Sequence, residues 1–363
     1  MRAPDFWYEE PGIAAGLLTP VGAALDAAGR LRRAVARPYC APVPVICVGN
    51  LVAGGSGKTP VALSLAEMLA ARGIKTAIVM RGYGGKLGGP VRIDPERHDA
   101  EAVGDEALLA ATQTASWVAR DRAAGVRAAV TGGAEAIILD DGFQNPHVAK
   151  DLSLVVVDAA AGFGNCRLIP AGPLRERVAA GLARADAVVL VEKEEEPRVS
   201  ETESLVPAPT HLPLTRHVSL PRGHGGGPGR GAAPEIPILR VSLAPTDGQR
   251  FAGAKLLAFA GIGRPEKFFA SLRAIDADLV GARDFPDHHP YRAAELAALR
   301  RDAEAARARL VTTRKDWVRL SPPERTAVEV LDVAVRWHDP AARDALLAPV
   351  LARISELGRA IRA

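Results

Sequence analysis

The sequence predicts an α/β fold, with a mostly parallel sheet and flanking helices followed by a second, smaller α/β domain. Short apolar runs at residues 43–48, 75–80, 136–139, 152–157 and 185–191 alternate with helical stretches, which is what a parallel sheet demands of a chain. The first run empties into Gly54-Gly55-Ser56-Gly57-Lys58-Thr59-Pro60, and a helical pattern follows over residues 61–71. A further apolar run at 254–260 opens a second set of elements beyond a stretch of different composition.

The glycine-rich turn between strand and helix has the order of a phosphate-binding loop. Glycines let backbone N–H groups turn inward around phosphate oxygens, and the helix start adds the positive end of its dipole. Lys58 is then placed for the β- and γ-phosphates of a nucleotide, and the Thr59 hydroxyl for Mg²⁺. Pro60 suits a first helical turn, where its missing N–H would have no partner. Gly54, Gly55, Ser56, Gly57, Lys58 and Thr59 are therefore the expected nucleotide-binding residues of a P-loop NTPase-type sheet. Val52 stands where the G-x-x-x-x-G-K-[ST] pattern has its first glycine, so an ordinary glycine turn with one solvated lysine is the alternative.

A chain of 363 residues has room for two domains. Its 48% hydrophobic content suits a globular protein, while a net charge of +4 with 4% aromatics gives no argument for nucleic acid. A phosphate-rich substrate or an anionic membrane surface fits that mild basicity equally well. Cys40, Cys47 and Cys166 lack any C-x-x-C spacing, which favours reduced thiols over disulfides or zinc.

The N-terminal segment, residues 1–37, starts with Phe6, Trp7 and Tyr8, continues with an Ala/Leu-rich stretch and ends in Arg30, Arg32, Arg33 and Arg37. Pro20 and Asp26 spoil it as a transmembrane helix, and Asp5, Glu9 and Glu10 spoil it as a signal peptide. Two readings stand side by side: a helix at a membrane interface, and a helix packed on the protein's own core.

Residues 38–191 are expected to form the P-loop domain. Its second strand ends in Arg81-Gly82-Tyr83-Gly84-Gly85, where α/β sheets bind ligands. Val103-Gly104-Asp105-Glu106 precedes a helix, and locally Asp105 reads best as a cap or first-turn acid. The third strand runs into Asp140-Asp141-Gly142-Phe143-Gln144. A carboxylate at a strand tip is the usual partner of a phosphate loop and positions Mg²⁺, and two adjacent acids need a cation or donors to offset them. Arg175 and Glu176, in the loop Pro170-Ala171-Gly172-Pro173-Leu174, are either a surface pair or part of the site. Residues 192–237 read as a linker, partly disordered, and 238–363 as a C-terminal α/β domain whose last helix is expected to return to the core. Asp287-His288-His289 offers two imidazoles beside an acid, too few neighbours for a convincing zinc site.

Taken together and in this order, these motifs resemble the tetraacyldisaccharide 4'-kinases of lipid A synthesis. The resemblance adds Phe259-Ala260-Gly261-Ile262-Gly263-Arg264-Pro265 and Thr313-Arg314-Lys315-Asp316 to those already named, and it spans most of the chain. It implies a two-domain P-loop kinase that uses ATP and Mg²⁺ to phosphorylate the 4'-hydroxyl of a lipid A disaccharide 1-phosphate. It also implies a peripheral place on the cytoplasmic face of the bacterial inner membrane, with the lipid disaccharide and an anionic membrane surface as partners and no obligate protein partner. Residue by residue, Lys58 and Thr59 would hold nucleotide and Mg²⁺, Asp140 and Asp141 would serve the metal, Asp105 would be the base with His288 as its partner, and Arg175 and Glu176 would complete the site. Met80, Asn145 and Arg314 depart from the residues that the family most often has there. A P-loop GTPase switch or metal chaperone is the rival reading, though neither Glu192-Lys193-Glu194 nor Thr313-Arg314-Lys315-Asp316 has the spacing of a guanine reader.

Overall fold

The computed structural model describes residues 4–192, 217–218 and 236–362. Most of the stretch read as a linker therefore lies outside the described residues. In chain order the strands are β1 (Val45–Gly49), β2 (Thr76–Met80), β3 (Val91–Arg92), β4 (Ala115–Val118), β5 (Ala136–Asp140), β6 (Leu152–Asp158) and β7 (Ala187–Glu192). They continue as β8 (His217–Val218), β9 (Ile236–Pro245), β10 (Lys255–Ala260), β11 (Asp278–Asp284), β12 (Arg309–Thr313), β13 (Glu329–Leu331) and β14 (Val333–Trp337). The α/β class is as the sequence predicts, with a large, mostly parallel sheet and a separate four-stranded one.

The chain divides into two compact units, neither of them a single stretch of sequence. One holds Ala62–Ala134 and Ala244–Ala334; the other holds the described residues of Ala3–Val61, Glu135–Leu243 and Val335–Ala363.

In the second of these units, β9, β7, β6, β1 and β5 lie side by side in that order, all parallel. Every residue of β1 and β6 is buried, which is why both read as largely apolar runs, broken in β6 by Ser153 and closed by Asp158: a parallel strand covered on both faces has no polar side to show. The sheet gains β9 through pairs such as Val188 with Ile238 and Val191 with Val241. That strand begins at the far edge of the stretch read as linker. The C-terminal helix Pro340–Arg362 belongs to the same unit, where Arg353 bonds Asp151 and donates to the Ala41 carbonyl at 3.1 Å.

Helix α1 (Ile13–Val35) also belongs to this unit, and it has two faces. Ala15, Gly22 and Asp26 are buried. A Cβ on Gly22 would sit 3.0 Å from Leu168, so any larger residue would push the helix off this contact by a few tenths of an ångström. Asp26 pairs with Arg177 at 3.3 Å and Arg33 with Glu176 at 3.6 Å. The opposite side carries Ile13, Leu17, Val21, Leu25, Leu31 and Val35, each between 50% and 86% exposed. At 100° per residue these six fall within about a third of the helix circumference. The buried side accords with the expectation of a helix packed on the protein's own core; the other side is apolar and exposed.

In the other unit, β2 and β4 pair in parallel and β3 closes on β4 antiparallel. The four-stranded sheet runs β11-β10-β12-β13, all parallel. Alternation along β10 builds two cores: Leu256, Ala258 and Ala260 face Phe251, Phe268, Phe269 and Leu272, while Leu257 and Phe259 face Leu296, Leu299 and Leu310. Its loops carry the C-terminal motifs.

Candidate active site

The site residues read from the sequence fall into two constellations, one in each unit. The first is built on β1. Its buried run ends at Gly49, and Asn50, fully buried, turns its amide back onto the loop, donating to Ser56 Oγ at 3.0 Å and to the Gly54 carbonyl at 3.4 Å. Gly54 and Gly57 take φ of 119° and 86°, a conformation costly for any side chain-bearing residue. Helix α2 (Lys58–Ala70) starts directly after, with Lys58, Thr59 and Pro60 in its first turn. The free N–H groups of that turn and the loop glycines form an anion-binding end.

Beside it, β1 and β5 pair with Val48 opposite Asp140, so the strand-tip acid arrives at the start of α2. Thr59 Oγ1 donates to Asp140 Oδ2 at 2.8 Å, both side chains buried. Asp141 follows with φ 53°, a left-handed conformation that Asp tolerates better than most residues. Its Oδ1 lies 3.8 Å from Lys58 Nζ and 2.8 Å from Arg175 Nη1. Arg175 is brought there by backbone pairing: Val52 bridges Leu174 antiparallel, Arg175 N–H donates to the Leu51 carbonyl at 2.8 Å, and Ala53 N–H to that of Pro173 at 2.8 Å. Glu176 lies behind this layer, 1% exposed, clasped by Arg184 at 2.9 and 3.0 Å. It accepts from Gln144 Nε2 at 3.1 Å, and the same amide donates to the Asn50 carbonyl at 2.8 Å. Glu176 thus steadies the Gln144–Asn50 layer under the loop.

A hydroxyl against a carboxylate, a second carboxylate and a lysine at a glycine-lined helix start suit a nucleotide triphosphate with Mg²⁺, a hard cation that takes oxygen ligands. Among the described residues no group of three or more His, Cys, Asp or Glu forms a metal cage of its own. Mg²⁺ held by one or two carboxylates and substrate phosphates does not need one.

The second constellation centres on Asp105, the first residue of the helix Asp105–Ala111 and 5% exposed. His288 Nδ1 lies 2.9 Å from its Oδ2. The same oxygen accepts from Arg319 Nε at 3.0 Å and is bonded by Arg319 Nη2, with Lys315 Nζ at 3.8 Å. Burial raises the Asp105 carboxyl, but the His288 hydrogen bond and the charges of Lys315 and Arg319 outweigh it and hold the group well below the usual carboxylate range. His288 is held by its backbone, at φ 61° with its N–H donating to the Gly261 carbonyl at 3.1 Å, and its ring lies 6.0 Å from that of Tyr83. His289 turns away, pairing with Glu295 at 3.0 Å and stacking on Phe285.

Beneath the pair lies Asp316, fully buried. It accepts from Tyr291 Oη and Arg319 Nη1 at 2.8 Å, from Gly261 N–H at 2.9 Å and from Thr313 Oγ1 at 2.6 Å. Burial and the Asp316 charge push the Tyr291 phenol far up, which keeps it a donor. The motifs around Gly261, His288 and Thr313 therefore meet at one acid. Sequence reading missed Arg319, Tyr291 and the clasping role of Asn50. Arg319 had one signal, a charge set between Val318 and Leu320, which are 1% and 2% exposed.

A strand, glycine loop and helix whose threonine meets a carboxylate on the neighbouring strand tip define the chain as a P-loop protein of the nucleoside-triphosphate-binding type. Comparison with known proteins gives the particular family. The family model for LpxK, tetraacyldisaccharide-1-P 4'-kinase, matches residues 14–352. A tetraacyldisaccharide 4'-kinase of Rhodospirillum centenum is 50% identical over 99% of this chain and 100% of its own length, and one from Rhodospirillum rubrum is 47% identical over 96% and 97%. The fold is also that of LpxK from Aquifex aeolicus, solved as an "apo" form in complex with ATP, with a TM-score of 0.67, 24% identity and coverage of 93% of this chain and 99% of that one. The chain belongs to the tetraacyldisaccharide-1-P 4'-kinase family. A kinase, rather than a GTPase switch, is the enzyme class that follows.

Proposed function

We infer that the chain is an ATP-dependent kinase that phosphorylates the 4'-hydroxyl of tetraacyldisaccharide 1-phosphate in lipid A biosynthesis. The family match over residues 14–352 carries this reading, and the contact of Thr59 with Asp140 at 2.8 Å is the structural feature that best agrees with it. Bound ATP with Mg²⁺ supplies the phosphoryl group and a cation to spread its charge. Gly54, Gly55, Ser56 and Gly57 would offer N–H groups to phosphate oxygens, and Lys58 a preorganised positive charge. Thr59, Asp140 and Asp141 would hold Mg²⁺. Arg175, tied to Asp141, would add a second cation at the phosphates, with Glu176 positioning the layer beneath.

Asp105 and His288 would act as the proton acceptor for the 4'-hydroxyl. As the O–H bond breaks, its proton passes to the pair; as the new O–P bond forms, the bond to the β-phosphate breaks and ADP leaves. A carboxylate held this far below its ordinary range is a weak base by itself, so His288 is needed to share or take up the proton.

The chain would work peripherally on the cytoplasmic face of the inner membrane. Among the described residues no helix is long and apolar enough to cross a membrane. What supports the reading is the exposed apolar side of α1, with Arg30, Arg32 and Arg37 also exposed for an anionic surface.

Initial rates with ATP and with GTP, each with and without disaccharide 1-phosphate in detergent micelles, test the function. ATP consumption that requires the acceptor is expected. GTP hydrolysis without acceptor would return the chain to the switch class.

A further inference from the structure

Arg319 has no part in the reading above, yet it is as enclosed as Asp105, each side chain 5% exposed. Its guanidinium is fixed at both ends. Two of its nitrogens meet Asp105 Oδ2, while Nη1 donates at 2.8 Å to both Asp316 Oδ1 and the Gly261 carbonyl. Asp316 in turn cannot swing away, being held by Tyr291, Thr313 and the Gly261 N–H. A planar fork anchored this way sets the direction of the carboxylate it grips. His288 is less suited to do so: its side chain is 36% exposed, and it touches Asp105 through a single nitrogen.

We propose that Arg319 is a positioning residue for phosphoryl transfer, fixing the Asp105 carboxylate so that Asp105 and His288 present one aligned proton acceptor. This rests on the reading of that pair as the acceptor. The charged and titratable groups around Asp105 are Arg319, Lys315 and His288, with Glu106 on its own helix; Lys315 is shared with Glu106 at 3.4 Å and Asp287 at 3.6 Å. Of these, only Arg319 grips the carboxylate with two nitrogens while being anchored elsewhere. Removing it takes away one cation and leaves burial less opposed, so protonation of Asp105 moves to higher pH.

The test is the pH dependence of kcat for the full-length kinase on its lipid disaccharide acceptor, in wild type, Arg319→Gln and Arg319→Lys. Arg319→Gln should lower kcat on the order of 10²-fold, as small misplacements of an acceptor do, and move the acid limb upward by about one pH unit or more. Arg319→Lys keeps the charge and loses the fork; its acid limb should stay near that of wild type while kcat remains about ten-fold down. A folded Arg319→Gln enzyme with wild-type kcat, or with low kcat and an unmoved acid limb, overturns the proposal. Should Arg319→Gln fail to fold, the lysine variant decides: wild-type kcat at every pH overturns it, and a pH-independent deficit supports it. Asp105→Asn with near wild-type turnover would sink the acceptor reading itself. Loss of turnover in Asp105→Asn beside an unaffected Arg319 variant would sink only the role of Arg319.

Discussion

His288 Nδ1 and Asp105 Oδ2 lie 2.9 Å apart although 183 positions separate them along the chain. Nothing local in either motif demands the other, so the fold has gathered them. If they act as one proton acceptor, Asp105→Asn and His288→Ala should each lower kcat strongly, and the double variant should lose far less than the product of the two losses. Strictly multiplicative effects would keep both residues relevant and dissolve the pair. Asn is preferred to Ala at position 105 because its amide oxygen can still accept from the buried Arg319 fork, which keeps Asp316 as its charge partner.

Acid stability provides a second check on the same carboxyl. Its value in the folded chain is depressed, so it contributes stability above the unfolded Asp value of about 3.9, and that contribution is lost as pH falls below it toward the folded value. The urea midpoint of the wild type should therefore drop more between pH 5 and pH 3 than that of Asp105→Asn. Parallel drops in the two proteins would mean that the carboxyl is not depressed.

At the phosphate loop, Lys58→Ala should cut kcat on the order of 10²-fold or more in a folded protein, because a preorganised cation is withdrawn from developing charge. Thr59→Ala and Asp140→Asn should behave differently, with defects partly relieved by raised Mg²⁺. Kinetics as a function of Mg²⁺ separate the two classes. A Thr59 defect indifferent to Mg²⁺ would remove that hydroxyl from the metal.

Helix α1 is better tested by substitution than by deletion, since losing it would take Arg33 from the buried Glu176 and Asp26 from Arg177 and would uncover Leu168. Leu17→Ser with Leu25→Ser alters only exposed positions. Each leucine that enters an apolar phase gains roughly 1.5–3 kcal/mol. The double variant should bind anionic vesicles at least about ten-fold more weakly and show a raised KM for lipid acceptor with the KM for ATP unchanged. Vesicle binding equal to wild type would leave the exposed stripe without a membrane role.

Much of this was legible because chemistry follows strand ends in an α/β sheet. Lys58 and Thr59 come just after the apolar run of β1, and Asp140 closes that of β5, so the sequence order alone marks them. What escaped reading depends on distance. Arg319 meets Asp105 across 214 positions, and its own neighbourhood looks like an ordinary helix end. The strand β4 was missed because Ala115-Ser116-Trp117-Val118 is only four residues long and is interrupted by a serine. Glu176 and Arg175 are adjacent in sequence yet differ in role, since one is 1% exposed beneath the loop and the other reaches Asp141.

Transfer of γ-labelled phosphate from ATP to disaccharide 1-phosphate, followed by mapping of the labelled position, tests the central claim most directly. Label is expected at the 4'-hydroxyl with wild-type enzyme, and on the order of 10²-fold less of it with Lys58→Ala. Label released only as inorganic phosphate, or transfer that survives intact in a folded Lys58→Ala enzyme, would contradict it.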